Sequence, residues 1–544
     1  MRRSPTTVLF ALIFLMAHRA DALERMLENG TTRGLTPAEV AELGDPFFKL
    51  VLQSHSEVAK LSEVVELIQP DRAQRRIFVV DEEIVDPRPQ QGGANATRRT
   101  VLGFEGSNSG RTLKPNIMLS ATMSSKGFPQ TPGLIEAWGW DDQLGRYDYY
   151  SREATDSPPG PARWFFHGSS ADVGSPESRG RCLGCHINGA PLMKELFLPW
   201  NHWHSLSSPA SYLVDSWPAK TDLQGPLRGA EILETDFILP SIRRFNQARL
   251  KKATQPELER VTNGRELLAP LFTTTEYNVL SSRQASGMHP LDDDASGKPS
   301  ESVKIPNSFF LNADLIGGRG DLTGLGIVEA NNFRTLPALT VTPDEYARLV
   351  SDSKQRIANV EGADANFAWF GPEASFIDND MVDLMMRRGV LSKGFVAAVL
   401  AVDLETPILS ADREKLLQFV PQLFVYQPLA PGAAPPSTGH ESADLTKQVV
   451  AALRAANPPS GSPEAMFLER LESPDPVGAL RADVKNYQTR LRDSVGTDDP
   501  EARKKELERL HDLLLARRQA VTDHRTLGLL NENRELLFPL KPSG

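Results

Sequence analysis

The first residues of the chain combine positive charge with a short apolar run. Two arginines lie within the first four residues, Val8 to Ala17 is apolar at all ten positions, and Ala20 and Ala22 are small residues two positions apart. This order predicts a secretory signal peptide at residues 1–22, cleaved after Ala22. Ten apolar residues are half of the roughly 20 that a membrane-spanning helix needs, so an anchor is not expected. No cysteine lies near the cleavage position, which argues against a lipid-modified N-terminus.

Beyond residue 22 the apolar positions first follow a helical period and then a strand period. Apolar residues recur three, four and seven positions apart between Thr36 and Ile68, and Thr36-Pro37 is a favourable helix start. The β-branched residues between Arg75 and Asp86 predict a strand, and Gly133 to Glu153 predicts a hairpin. Further strands are expected at Val101 to Phe104, Asn116 to Ser120 and Arg163 to His167. Residues 23–170 are therefore predicted to form a helix plus β-rich unit.

The second half of the chain returns to helical periodicity. Helical segments are expected within Pro226 to Val279, Tyr346 to Leu417, Asp444 to Ala455, Pro463 to Leu471 and Pro500 to Val521. Gln427 to Gly439 contains four prolines and predicts a linker. We therefore expect a mainly helical domain at 226–426, the linker at 427–439 and a helical tail at 440–544. The tail has an apolar stripe that should pack on the main body or on a partner: Leu507, Leu510, Leu514 and Val521.

Length and composition limit the class of protein. About 520 residues remain after the signal peptide, too many for one ordinary core, so several domains are expected. The predicted fold class is α+β multidomain, with a β-rich N-terminal unit and a mainly α-helical C-terminal half. With 40% hydrophobic and 24% charged residues, the composition is that of a soluble globular protein. A net charge of −10 argues against a nucleic-acid partner, and no second long apolar run predicts a transmembrane helix.

Both cysteines of the chain lie in one short segment. Cys182 and Cys185 are three positions apart, and His186 follows directly. Cys-x-x-Cys-His is the attachment signal for c-type haem. Two thiols at this spacing can add to the two vinyl groups on one edge of a porphyrin, and the next residue then lies under the ring centre. The sequence therefore predicts one covalent haem c within residues 171–225, with His186 as an axial iron ligand.

At these three residues the chain resembles the c-type cytochromes, and the resemblance covers a few per cent of its length. It implies covalent haem held by Cys182 and Cys185 and ligated by His186. Two other interpretations remain open. A thiol redox pair would have no use for the histidine, and a zinc site would need two further ligands at close range.

The second axial ligand of the haem is not evident from the sequence. His204 is the first candidate, and His202 and His167 are others. Met193 follows His186 by only seven positions and should lie on the same helix face, beside the proximal histidine. An open sixth position is a further possibility. Among the other methionines, Met288 lies much further along the chain, and core packing is expected for Met381, Met385 and Met386. Trp200 and Trp203 are expected to cover the apolar face of the haem.

Three roles are compatible with one covalent haem. The first is electron transfer in the periplasm or outside the cell, with a redox partner protein or a small-molecule electron donor or acceptor. The alternative is a haem-dependent oxidoreductase of the peroxidase or oxygenase class, since the chain is far longer than a simple carrier needs. A haem-bearing sensor is the third. We expect the β-rich unit to form part of the surroundings of the haem.

A second cluster of polar residues lies in the helical half. Asp378, Asp380 and Asp383 occur together on the predicted helix Phe376 to Val390. Carboxylates in such a cluster can bind calcium. Helix capping and a solvated helix face are the more usual roles, and those are expected here.

Overall fold

The computed structural model describes residues 23–27, 30–68, 75–82, 97–105, 115–123, 134–156, 159–172, 182–186, 189–191, 201–202, 227–228, 233–273, 277–280, 301–305, 309–318, 322–327, 340–356, 371–430, 432–435 and 443–523. The chain divides into two compact units. The described residues up to Phe245 form unit 1, and those from Asn246 onwards form unit 2. The predicted signal peptide lies outside the described residues.

Unit 1 is built around one mixed β-sheet, which within the described residues has ten strands. The strands are β1 Glu24–Met26, β2 Thr32–Gly34, β3 Arg75–Glu82, β4 Thr97–Glu105, β5 Pro115–Met123, β6 Ile135–Asp141, β7 Arg146–Asp156, β8 Pro159–Ser169, β9 Asn201–His202 and β10 Leu227–Arg228. Their order is β10-β3-β4-β5-β6-β7-β8-β1-β2, with β9 also paired to β3. β1 runs parallel to β8 and β10 runs parallel to β3, whereas the remaining pairs are antiparallel.

The predicted hairpin is confirmed between β6 and β7. Asp141 closes the turn, because its Oδ1 accepts hydrogen bonds from the backbone N–H groups of Gln143 (2.8 Å) and Leu144 (2.9 Å). Gly145 has a φ of +62°, a conformation that a residue with a Cβ adopts only at a cost. The turn brings Asp141 opposite Arg146 and sets the register of the whole hairpin.

One face of the sheet is covered by N-terminal helices. They are Pro37–Glu42, a π-helical turn at Phe48–Leu52 that continues as Gln53–His55, and Leu61–Ile68. The predicted helix start at Thr36 is confirmed: its hydroxyl accepts from the N–H of Glu39, whose carboxylate accepts from the N–H of Thr36. The apolar core between helices and sheet includes Phe47, Val51, Leu119, Tyr150 and Trp164.

The opposite face of the sheet contacts the segment that begins with a π-helical turn at Glu234–Ile238 and continues as the helix Leu239–Thr254. Phe237 packs on Trp138, with ring centroids 5.8 Å apart. A Cβ on Gly103 would lie 2.5 Å from the Phe237 ring, so the close approach requires a glycine there. The hydroxyl of Tyr147 donates to the carbonyl of Ser241 at 2.9 Å and ties this segment to β7.

Unit 2 is mainly helical. Its helices are Pro256–Leu258, Gly264–Phe272, Ala313–Gly317, Pro343–Arg356, Phe376–Arg387, Lys393–Leu400, Ala401–Asp403, Ala411–Leu416, Leu417–Phe419, Ala443–Ala456, Pro463–Glu472, Pro476–Val495 and Pro500–Asp523, and it also contains the end of Leu239–Thr254. Three two-stranded ladders join Arg260–Val261 to Phe424–Val425, Tyr277–Leu280 to Gly371–Ala374, and Val303–Lys304 to Thr340–Val341. The α+β class is therefore confirmed, with the sheet in the N-terminal part and a mainly helical C-terminal half.

The C-terminal helices pack on the body of unit 2. Leu507, Leu510 and Leu514 of the predicted stripe are buried in the same apolar core as Phe395 and the other central residues of the unit. Arg517 is also buried and donates hydrogen bonds to the carbonyls of Phe309 and Glu405. Of the two possibilities left open by the sequence, packing on the main body is the one observed.

Gly139 gives a test of how closely the N-terminal helices fit the sheet. A Cβ at this position would lie 1.9 Å from Oδ1 of Asp45, the oxygen that accepts hydrogen bonds from the N–H groups of Phe47 and Phe48. We expect Gly139→Ala to lower the free energy of unfolding of unit 1 by about 2–4 kcal/mol, through overpacking and loss of this cap. Denaturant unfolding followed by tryptophan fluorescence measures the change.

The matched control is Gly34→Ala on β2, because no atom lies within 4 Å of its Cβ position. That substitution should change the free energy of unfolding by less than about 0.5 kcal/mol. Equal losses for the two variants would contradict the close approach of Asp45 to Gly139.

Candidate functional site

The Cys-x-x-Cys-His segment forms one turn of α-helix, Cys182–Cys185, followed by a tight loop. The N–H of His186 donates to the carbonyl of Cys182 at 2.8 Å and continues the turn by one residue. Leu183 is buried, and one of its methyl carbons lies 3.2 Å from the position that a Cβ on Gly168 would occupy. Gly168 has a φ of +111°, so its conformation and its missing side chain both allow the turn to rest on the end of β8.

The imidazole of His186 is held in one orientation. Its Nδ1 lies 2.7 Å from the carbonyl oxygen of Ala190 and must donate its proton there, because a carbonyl oxygen only accepts. In that tautomer Nε2 carries the lone pair. The residue is only 7% exposed, so the donated hydrogen bond also satisfies a polar group that would be costly to bury alone.

Tyr149 of β7 fixes both the ring of His186 and the loop after it. The two rings are stacked, with centroids 4.9 Å apart and planes 28° apart. The Tyr149 hydroxyl donates to the carbonyl of Gly189 at 2.8 Å. Gly189 has a φ of +69°, and a Cβ there would lie 2.6 Å from Cβ of Ser170. The sheet therefore positions the loop that supplies the acceptor for Nδ1.

These residues fit a covalently bound haem. A histidine that ligates a metal almost always donates its other ring N–H to a carboxylate, a carbonyl or water, and His186 does so to Ala190. The helical turn places Cys182 one turn before His186 and half-buried beside β8. For Cys185 the structure describes the backbone, which belongs to the same turn. Tyr149 and Gly168 are residues of the sheet, so the β-rich unit contacts the motif, and its contribution to the surroundings of a haem stays a prediction.

Most other predicted haem neighbours lie outside the described residues. This applies to His204, the first candidate for the second axial ligand, and to Met193, Trp200, Trp203 and Met288. The backbone of His202 forms part of β9, opposite Asp81 of β3. The methionines for which core packing was expected are buried in the core of unit 2: Met381, Met385 and Met386.

His167 belongs to a buried polar group that the sequence did not suggest. The hydroxyl of Ser151 donates to the carboxylate of Glu153 at 2.7 Å and lies 2.6 Å from Nε2 of His167. Ser151 and Glu153 are two and four residues after Tyr149 on β7, so all three side chains lie on the same face of the sheet as His186. The sequence contains one signal for this group, the alternation of side chains along β7. It places Ser151 and Glu153 on the face of His186 only once Tyr149 is known to contact His186.

The prediction of a solvated helix face for the clustered aspartates is wrong. Asp378, Asp380 and Asp383 are all buried in unit 2. Asp383 accepts a hydrogen bond from the hydroxyl of Thr323 at 2.7 Å and pairs with Arg387 at 2.6 Å. Among the described residues, no group of three or more His, Cys, Asp or Glu is arranged to hold a metal ion. These carboxylates therefore anchor a buried helix.

A second buried acidic group lies on the opposite face of β7 from Tyr149. Asp148 pairs with Gly139 of β6, and the carboxylate of Asp45 lies over Gly139, beside Asp148. Both aspartates are fully buried. Tyr150 donates its hydroxyl proton to Asp45 at 2.5 Å, and Nε of Arg146 lies 3.1 Å from Oδ1 of Asp148. Two carboxylates thus share one interior site.

The environment of these two carboxylates favours their protonated forms. Burial raises the pKa of Asp45 to about 6, although Tyr150 and two backbone N–H groups hydrogen-bond the carboxylate and lower the value. Burial raises the pKa of Asp148 well above its usual range, the charge of Asp45 raises it further, and Arg146 lowers it. The pair therefore retains a proton at a pH where exposed carboxyl groups have lost theirs.

Comparison of the chain with family models, curated proteins and solved structures gave no match. Within the parts of the chain that the structure describes, no helix has the length and apolar character needed to cross a bilayer. The function therefore has to be inferred from the residues of the site.

The acidic pair predicts how stability depends on pH. The folded state holds these protons more tightly than the unfolded state, so it binds more protons between about pH 4 and pH 6 and stability falls as pH rises through that window. For Asp45 the shift from 3.8 to about 6 corresponds to a loss of about 3 kcal/mol, and Asp148 acts in the same direction. Asp148→Asn should make the decline shallower in denaturant unfolding between pH 4 and 8.

Asp142→Asn is the control for that measurement, since it removes a carboxylate of the same hairpin that is 78% exposed. It should leave the pH profile of the wild type unchanged. If Asp148→Asn and Asp142→Asn gave the same profile, the buried pair could not be the cause of the decline.

Proposed function

We propose that this chain is an exported monohaem c-type cytochrome protein that transfers electrons, with haem bound covalently by Cys182 and Cys185 and ligated by His186. The observation that carries the proposal is the hydrogen bond from Nδ1 of His186 to the carbonyl of Ala190, directly after the Cys-x-x-Cys turn. A thiol redox pair has no use for the histidine, and an ordinary buried histidine has no need of the two thiols before it. A histidine that ligates haem iron uses the Cys-x-x-Cys turn and commonly donates its other ring N–H in this way.

When bound, the haem supplies one-electron redox chemistry. The residues of this chain position and insulate it. The thiols of Cys182 and Cys185 form thioether bonds, which prevent loss of the group. Donation by Nδ1 of His186 makes the imidazole a stronger ligand through Nε2, and a stronger ligand favours the oxidised state. Tyr149 covers one face of the imidazole and limits access of water, so less solvent reorganisation accompanies each transfer.

One observation favours a second candidate function, a haem-dependent oxidoreductase. Ser151, Glu153 and His167 form a hydrogen-bonded group of acid, hydroxyl and imidazole on the sheet face that carries His186. Such a group can accept and return a proton, which oxidoreductases of the peroxidase or oxygenase class need and simple carriers do not. Either role calls for a redox partner protein or a small-molecule electron donor or acceptor.

Covalent attachment is tested by replacing both thiols. Wild-type protein made in a host that matures c-type cytochromes should keep its haem through denaturing electrophoresis, because thioether bonds survive unfolding. The double variant Cys182→Ala/Cys185→Ala should lose all covalent haem, as judged by haem staining and mass. His55→Ala, a half-exposed histidine of unit 1, is the control and should retain it. Colourless wild-type protein with both thiols open to alkylation would overturn the proposal.

Carbon monoxide distinguishes the two candidate roles. An electron carrier has both axial positions filled, so the spectrum of the reduced protein should be low-spin and unchanged by carbon monoxide. We expect this result. Rapid binding, seen as a shift of the Soret band, would instead support the oxidoreductase. In that case Glu153→Gln should slow turnover with peroxide at least tenfold while leaving covalent haem in place.

A further inference from the structure

We propose that Asp45 and Asp148 form a proton-binding pair coupled to the redox state of the haem, so that electron uptake at the site is accompanied by proton uptake at this pair. The inference rests on the proposed function. It adds a second activity, the reversible binding of a proton from solvent. The position of the pair, the charges around it and the packing that keeps it buried all support this second activity.

The pair and His186 are connected through one strand. Asp148 and Tyr149 are consecutive residues of β7, with Cα atoms about 3.8 Å apart, and their side chains leave opposite faces of the sheet. The ring of Tyr149 stacks on His186 at 4.9 Å. The space between the acid pair and the imidazole is therefore filled by buried protein, where charges interact more strongly than in water because the effective dielectric constant is about 20 rather than 80.

The surroundings of the pair carry surplus negative charge. Arg146 is the cation in contact with Asp148, and it is shared with Glu42 at 3.3 Å. Arg25 lies near the turn after β8 and pairs there with Asp172 and with Glu39. The titratable groups whose charges act on Asp45 or Asp148 from the neighbouring elements are Asp141, Arg146, Tyr150 and Asp172. Carboxylates outnumber the cations around the pair. Loss of a nearby positive charge therefore makes the ionised form of the pair less favourable, and the pair binds a proton.

Two glycines show that the arrangement is built into the fold. A Cβ on Gly139 would collide with Asp45, and a Cβ on Gly44 would lie 2.3 Å from Oδ2 of Asp141. Both positions therefore leave space for a carboxylate rather than for an apolar side chain. Asp45 also caps the helix that follows it, whereas burial of Asp148 beside it, with one arginine in contact, destabilises the fold at neutral pH.

Ionisation of the pair does not release the N-terminal helices. Phe47, Val51 and Leu52, which follow Asp45, are all buried in the core against the sheet. The apolar surface that they bury outweighs the cost of ionising one carboxyl group. The pair therefore gains and loses its proton within the folded protein. Arg146, which contacts Asp148, is itself 12% exposed to solvent.

The coupled step conserves charge and atoms. A one-electron donor, the redox partner of the proposed function, gives one electron to the haem site, which loses one positive charge. One proton from solvent forms an O–H bond with a carboxylate oxygen of Asp45 or Asp148. Oxidation returns the electron to an acceptor and the proton to solvent. By reciprocity, protonation of the pair raises the reduction potential, so the potential falls as pH rises.

The test is a spectroelectrochemical titration of the full-length, haem-loaded protein between pH 5 and 8.5. The wild-type potential should fall with rising pH, by at most 59 mV per pH unit, the limit for one proton per electron. Asp148→Asn should reduce this slope at least twofold. Asp142→Asn, with the same change of formal charge at an exposed position of the same hairpin, should keep the wild-type slope.

A second measurement covers the case in which Asp148→Asn fails to fold. Anaerobic reduction of the wild type in weak buffer with an indicator dye should show uptake of a fraction of a proton per electron, and Asp45→Asn should take up less. A haem-loaded protein with a flat potential, or with a slope unchanged in both variants, overturns this inference and leaves electron transfer standing. A preparation without covalent haem overturns the proposed function, and the coupling with it.

Discussion

The hydrogen bond from Nδ1 of His186 to the carbonyl of Ala190 is the constraint on which the rest of the site depends. Such a bond stabilises a fold by only about 1 kcal/mol, but a buried imidazole without it would cost about 1–3 kcal/mol. Its larger effect is geometric, since it prevents rotation of the ring and fixes Nδ1 as the protonated nitrogen, which leaves the lone pair on Nε2. The loop that supplies the carbonyl depends in turn on Gly189 in a left-handed conformation and on the hydroxyl of Tyr149.

Strand β7 unites features that are separate in the sequence. Because neighbouring residues of a strand point to opposite faces, Tyr149 contacts His186 while Asp148 joins the acidic pair. A sheet between two chemical groups is a rigid separator, and its hydrogen bonds hold their spacing constant. The β-rich unit thus holds the acidic pair and the Cys182–His186 segment on opposite sides of one strand.

The parts of the protein that could be predicted are those whose signals are local. A cap and a proline predict the helix start at Thr36, and the structure confirms it. The spacing of Cys182, Cys185 and His186 is an equally local signal, and the haem that it indicates stays a prediction. Pro476–Val495 was missed, although its buried residues recur at helical spacing after a proline at the first turn. The hydrogen bond from Tyr150 to Asp45 joins residues 105 positions apart, and no periodicity reveals which distant side chain will donate to a buried acid. Burial of the clustered aspartates in unit 2 was missed for the same reason.

The parallel pairing of β1 with β8 has a consequence for the order of assembly. Glu24 lies opposite Phe165, so β1, which pairs with the neighbouring β2 on one side, meets its second partner only after β8 has been synthesised. Contacts between such distant parts of a chain form slowly. The helical turn Cys182–Cys185 is the next described helix after β8 in the chain and rests on the end of that strand. Under the proposed function, pairing of β1 with β8 and attachment of haem to the thiols would fall in the same interval of folding, and a chaperone that delays the pairing would prolong access to the thiols.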